Sequence, residues 1–213
     1  AKNRQKAQAA YPNASPQVQA YVAANLELEN ALTYLVNALE QAGIADDTVI
    51  VISPDHYPYG LERSSTWKNT ENYLNELYGV TEVDRFTRDS NALIIWSGCL
   101  EDKNLKVETP VYSLDILPTL SNLFGLNYDS RLLVGRDVFS DTEPLVLWPE
   151  YSWKTDKGTY DSGSRTFTPA EGVEVDDSYV DRIKAIVSNK ISYSREVQNL
   201  KYFQVLSDFL NGK

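Results

Sequence analysis

Apolar positions along the chain follow two rhythms, and each predicts a kind of element. Between Gln17 and Ala42, apolar residues from Val18 through Leu28, Leu32 and Leu35 to Leu39 recur at spacings of three and four, the stripe of an amphipathic helix. Ser15-Pro16 is a good N-cap and first-turn pair, and Gly43 a good stop. Val49-Ile50-Val51-Ile52 has no polar alternation. That is the pattern of a strand buried on both faces of a parallel sheet, ended near Ser53 by Pro54. Ala92–Trp96 predicts a second buried strand, and Asn69–Tyr78 a short helix closed by Gly79. Thr81–Ser90 and Glu101–Lys106 are charged enough to be surface loops, and residues 1–15 read as a loop or frayed terminus.

The later part of the chain changes character. Asp115 to Gly125 predicts a short helix with Asp115 as N-cap and Pro118 in its first turn. Leu145–Trp148 predicts a third strand, and Tyr151-Ser152-Trp153 with Thr159-Tyr160 a β-hairpin turning at Gly158. Helices follow over Ser178–Asn189 and Ser194–Leu210. A helix, a short loop and a buried strand make half of an α/β unit. The expected fold class is therefore α/β: a partial doubly wound, mostly parallel sheet flanked by helices, with a small C-terminal antiparallel sheet and helix subdomain. The division expected is residues 1–142 for the core and 143–213 for the subdomain.

Composition narrows the function classes. The chain has 213 residues and a net charge of −10, which argues against a nucleic-acid partner because phosphate binding needs a basic footprint. No apolar run approaches a membrane span. The single cysteine, Cys99, excludes an internal disulfide and is expected to be a small buried hydrophobe. There is no methionine, so the chain reads as a piece of a longer protein.

The candidate chemistry is Asp55-His56, just past the expected carboxyl end of the first strand, and His56 is the sole histidine. Ligands of open α/β sheets sit at such ends. A carboxylate beside an imidazole suits zinc, manganese or iron. The alternative reading is that Asp55 caps a turn and His56 packs there. Asp115 has the same two readings, cap or metal ligand. The hairpin aromatics are either cross-strand packing pairs or a carbohydrate-stacking face.

Several stretches together resemble a known family. Leu39-Glu40-Gln41-Ala42-Gly43 followed by Asp47-Thr48-Val49-Ile50-Val51-Ile52-Ser53-Pro54-Asp55-His56 is similar to the second half of the sulfatase domain of the alkaline phosphatase superfamily. Ser113 to Leu120, ending in Leu123-Phe124-Gly125, resembles that family's other late signature. Leu133 to Ser140, the Trp153–Tyr160 hairpin and the helical tail resemble the lipoteichoic-acid-synthase branch. The resemblance implies that Asp55 and His56 bind a divalent metal, usually manganese in that branch, with zinc, calcium or magnesium as other possibilities. It implies a parent enzyme anchored in the membrane and facing outward, which transfers glycerophosphate from phosphatidylglycerol through a threonine nucleophile. Its partner would be an anionic lipid headgroup or another sulfate or phosphate ester. It also implies that the nucleophile and the remaining metal ligands lie upstream, so that this piece alone is inactive. A sulfatase and a phosphoethanolamine transferase are the enzymatic alternatives, and a cell-wall glycan-binding module the non-enzymatic one. The common Asp-His-Gly form is replaced here by Asp55-His56-Tyr57-Pro58-Tyr59-Gly60. Half of a doubly wound sheet would also leave an open edge, through which the piece could self-associate.

Overall fold

A computed structural model of the chain describes residues 3–62, 73–100 and 105–212. They group into two compact units, Ala1–Leu105 and Lys106–Lys213. Part of the expected Asn69–Tyr78 helix (residues 69–72) and most of the expected 101–106 loop (residues 101–104) lie outside the described residues.

The first unit opens with helix α1 (Arg4–Ala10) where the sequence suggested a loop. Its Ala- and Gln-rich composition favours helix, and Ala7 is fully buried. Helix α2 (Pro16–Gln41) has the expected ends. Ser15 Oγ accepts from Val18 N at 3.3 Å, with Pro16 as the first helical residue. Gly43, at φ +69°, closes the helix. The Gly43 and Ile44 amides donate to the Glu40 and Leu39 carbonyls at 3.0 and 3.1 Å, the paired bonds of a Schellman stop.

Strand β1 (Ile50–Ile52), short helices α3 (Tyr73–Tyr78) and α4 (Arg85–Arg88), and strand β2 (Ile94–Trp96) follow. Helix α4 replaces the expected loop because Asp84 Oδ1 accepts from Phe86 N and Thr87 N at 2.7 and 3.0 Å. The expected parallel sheet is not what the described strands form. β1 and β2 pair antiparallel, with Ile50 opposite Trp96 and Ile52 opposite Ile94. An unbroken apolar run favours a strand buried on both faces, as in parallel sheets, but does not by itself fix strand direction. Nor is β1 buried on both faces in this chain, since Val51 is 37% exposed; in β2, Ile94 is 51% exposed.

The second unit contains α5 (Ile116–Leu123) and an antiparallel meander of β3 (Val146–Leu147), β4 (Trp153–Thr155), β5 (Gly158–Asp161) and β6 (Thr166–Pro169). A two-residue turn at Asp156-Lys157 joins β4 to β5. Gly158 is required there, since its φ is +149° and a Cβ would lie 2.4 Å from the Thr168 carbonyl oxygen. The meander packs on α6 (Tyr179–Asn199), followed by α7 (Tyr202–Leu210). α6 runs through the break expected at residue 190, where no breaker residue stands and Ile191 packs on the core. The chain bends instead at Lys201, at φ +48°.

Trp153 has no solvent exposure and centres this core. It stacks on Tyr160 with centroids 5.5 Å apart, meets Phe167 at 5.5 Å, and takes Tyr179 edge-on at 6.1 Å. Tyr179, Ile183 and Val187, spaced four apart, present one stripe of α6 to these rings. Trp153 and Tyr160 are thus packing residues, and Trp153 offers no sugar-stacking face, while Tyr151 is 42% exposed. Replacing Trp153 by Ala is expected to cost about 3–5 kcal/mol, read from urea denaturation; an unchanged midpoint would refute this role in the core.

Candidate functional site

The site begins where β1 ends. Ser53-Pro54 leaves strand geometry, so Asp55 and His56 escape the alternation that would send neighbouring side chains to opposite faces. Pro58, at φ −75° and ψ 67°, is the middle of an inverse γ-turn. Tyr59 N donates to Tyr57 O across it at 2.7 Å. The Leu61 and Glu62 amides then bond back to the Pro58 and Tyr59 carbonyls at 2.9 and 3.1 Å, and Leu61 is buried as an anchor.

That turn sets the imidazole. His56 Nδ1 lies 2.7 Å from the Tyr57 carbonyl oxygen. A carbonyl oxygen only accepts, so this contact needs the proton on Nδ1. In a neutral ring, Nε2 is then a bare lone pair. It faces Asp55 Oδ1 at 3.5 Å, a second group that only accepts. Tyr59 lies against the imidazole with ring centroids 4.4 Å apart. Both side chains reach solvent, His56 at 49% and Asp55 at 88% exposure.

Two acceptors that face one another can take a cation between or beside them. Oxygen and nitrogen ligands each about 2.1 Å from one tetrahedral ion would sit about 3.4 Å apart, close to the separation seen. Holding the other ring nitrogen by a backbone carbonyl is also how metal-binding histidines are oriented. The two residues therefore fit a share of a divalent site. They are only a share: among the described residues, no group of three or more His, Cys, Asp and Glu side chains could hold an ion.

A family model described as Sulfatase matches residues 1–126, more than half of the chain. The chain belongs to the sulfatase family. Members of this superfamily are generally dependent on divalent metal. Among related proteins, the lipoteichoic acid synthase of Staphylococcus saprophyticus is 27% identical over 132 residues, covering 60% of this chain and 19% of its own length. The lipoteichoic acid synthase of Staphylococcus aureus is 27% identical over 136 residues, covering 61% of this chain and 19% of its own. The chain thus spans about a fifth of the length of these relatives. No described helix is long and apolar enough to cross a membrane.

The sulfatase-like signature at Asp115 is a different kind of site. Asp115 is 1% exposed and does not cap α5 through its side chain. Its carboxylate reaches backward to accept from Tyr112 N at 3.1 Å and across to accept from Arg136 N at 2.8 Å. Its own carbonyl accepts from Thr119 Oγ1 at 2.6 Å, and the same hydroxyl oxygen accepts from Val138 N at 3.1 Å. Gly135 is forced by this clasp, since a Cβ would fall 2.0 Å from the Leu114 carbonyl oxygen. Sequence reading missed the partnership because Arg136 is 21 residues away. Cys99, expected inside, is exposed, with its thiol 3.3 Å from Ser97 Oγ; the apolar run ends before it, at Trp96.

Burial pushes the Asp115 carboxyl above the ordinary carboxylate range, against the pull of its two N–H donors. The folded state then binds this proton more tightly than the unfolded chain. The group's contribution is therefore full below its unfolded pKa and lost as pH rises through the folded one. Asp115→Ala strands two amides and is expected to cost about 1–3 kcal/mol, with a penalty that shrinks as pH rises out of the acid range. Urea melts of both proteins across pH check this, and a penalty that grows with pH would contradict it.

Proposed function

We propose that this chain is the later part of the catalytic domain of a metal-dependent, extracytoplasmic phosphotransferase of the lipoteichoic-acid-synthase type. The observation that carries the reading is the encounter of Asp55 Oδ1 with His56 Nε2 at 3.5 Å, in a chain of the sulfatase family. Asp55 and His56 would hold the ion, with manganese the leading candidate. When bound, the ion would supply charge neutralisation at a phosphoryl or sulfuryl oxygen and lower the pKa of a hydroxyl nucleophile.

The chain's own residues do three things in this reading. Asp55 contributes a charged oxygen, and the net charge of −10 makes a local cation necessary before any anionic ester approaches. His56 contributes its unprotonated Nε2, because the ring proton sits on Nδ1 and is donated to the Tyr57 carbonyl. Tyr59 covers one face of the imidazole. The nucleophile and the other ligands belong to sequence upstream, as the resemblance implies. So do the membrane anchor and the groups that would grip a phosphatidylglycerol headgroup. Val51 and Ile94, apolar and half out on the two-stranded sheet, are expected to be covered by that upstream part, or by a second copy when it is missing.

Two donors are fewer than the three protein ligands of a typical catalytic zinc. The isolated chain is therefore expected to bind manganese only weakly, at or above micromolar concentration, and to hydrolyse no phosphodiester. Calorimetry and a chromogenic diester assay test this. Residual binding is expected to vanish in Asp55→Ala and His56→Ala. Sub-micromolar affinity, turnover by the isolated chain, or binding indifferent to both substitutions would overturn it.

A further inference from the structure

The conformation of His56 depends on the Tyr57 carbonyl, so whatever fixes Tyr57 fixes the imidazole. The Tyr57 side chain is held at both ends. Its hydroxyl donates to Glu62 Oε2 at 2.9 Å, and its ring face is covered by the Arg88 guanidinium, 4.3 Å from the centroid. Arg88 closes the circuit through Nη1, which donates to Glu62 Oε1 at 3.2 Å. Its Nε donates to Asp89 Oδ1 at 2.8 Å. The Arg88 backbone is fixed in turn, since its carbonyl accepts from the Tyr78 hydroxyl at 3.0 Å and α4 is capped by Asp84.

We propose that Arg88 is a positioning residue for the candidate cation site: it clamps Tyr57 and so holds the His56 imidazole with its proton on Nδ1 and its Nε2 toward Asp55. The inference rests on the reading of Asp55 and His56 given above, but its geometry stands apart from any metal. Arg88 is not placed to grip an anionic substrate. Two carboxylates, Glu62 and Asp89, already take its Nη1 and Nε protons and balance its charge. Its planar fork can meet Glu62 while its face lies on a ring, a combination that lysine's point charge does not reproduce. The sequence Tyr57-Pro58-Tyr59, which stands where the common family form has a glycine, thereby gains a physical role. Pro58 sets the turn, and Tyr57 is the handle by which Arg88 holds it. Residues 81–90 carried no functional expectation from sequence alone, because Arg88 lies 26 residues beyond Glu62.

The test uses the sole histidine, whose ring signals need no assignment. Long-range nitrogen–proton spectra of this chain in alkaline buffer, where imidazoles are neutral, report which ring nitrogen carries the proton. The wild type is expected to show the Nδ1–H form in the majority. Arg88→Ala is expected to shift the ring toward the Nε2–H form that free histidine prefers, and Tyr57→Phe, which keeps the ring but loses the Glu62 bond, to shift it less. Arg88→Lys should restore the wild-type ratio only in part. Circular dichroism and thermal melts confirm that each variant is folded. Titration with manganese, read as broadening of the same ring signals, should need about 10–100-fold more metal in Arg88→Ala, the range typical for loss of a group that orients a ligand. A folded Arg88→Ala with the wild-type tautomer ratio would overturn the clamp, and so would a wild type in which Nε2–H predominates. A tautomer shift without any broadening in the wild type would leave the clamp standing and defeat the metal reading instead.

Discussion

A single backbone carbonyl governs the site. Tyr57 O accepts from Tyr59 N and from His56 Nδ1, both at 2.7 Å. The first contact shapes the turn and the second aims the only imidazole of the chain. With its proton on Nε2 instead, the ring would present Nε2–H to Asp55, and the pair would satisfy itself with a hydrogen bond. With Nδ1 donating to Tyr57 O, a neutral ring leaves its Nε2 lone pair 3.5 Å from Asp55 Oδ1, open to water or to a cation. An exposed carboxylate and imidazole are inexpensive to hold in this way, because water screens them until an ion arrives.

The second unit is built on the opposite strategy. Asp115 is sealed from water, and each of its carboxylate oxygens accepts from one backbone N–H. Its negative charge is eased by Lys190, whose own burial pushes its ammonium down toward the neutral form. Lys190 Nζ donates to the Val134 carbonyl, which sits in the same loop that Asp115 holds through Arg136. The late sulfatase-like signature is thus a structural clasp between the start of α5 and the Leu133 to Val138 loop. Asp55 and His56, by contrast, are exposed to solvent.

Some of this was legible in the sequence and the rest was hidden, for reasons that can be named. Some local signals held: Ser15-Pro16 and Gly43 bounded α2, and Gly158 marked the hairpin, whereas Asp115 does not cap α5 through its side chain. Asp55-His56 stood out because the strand ended abruptly before it. Non-local facts were not legible. The antiparallel partner of β1 lies more than forty residues away, and an apolar run does not by itself fix direction. Asp84 announced the cap of α4 only to a reader who already expected a helix there. The roles of Asp115 and Arg88 depend on pairings 21 and 26 residues apart in sequence, which no periodicity records. The Tyr57 carbonyl, an atom every residue has, could not be singled out before its partner was seen.

An anomalous difference map from crystals of this chain grown with millimolar manganese would probe the Asp55–His56 pair without intermediary. One strong peak is expected about 2.1–2.2 Å from both His56 Nε2 and Asp55 Oδ1, with water completing the shell. A map with no peak there, or with its strongest peak beside another carboxylate, would contradict the cation-binding role of the pair.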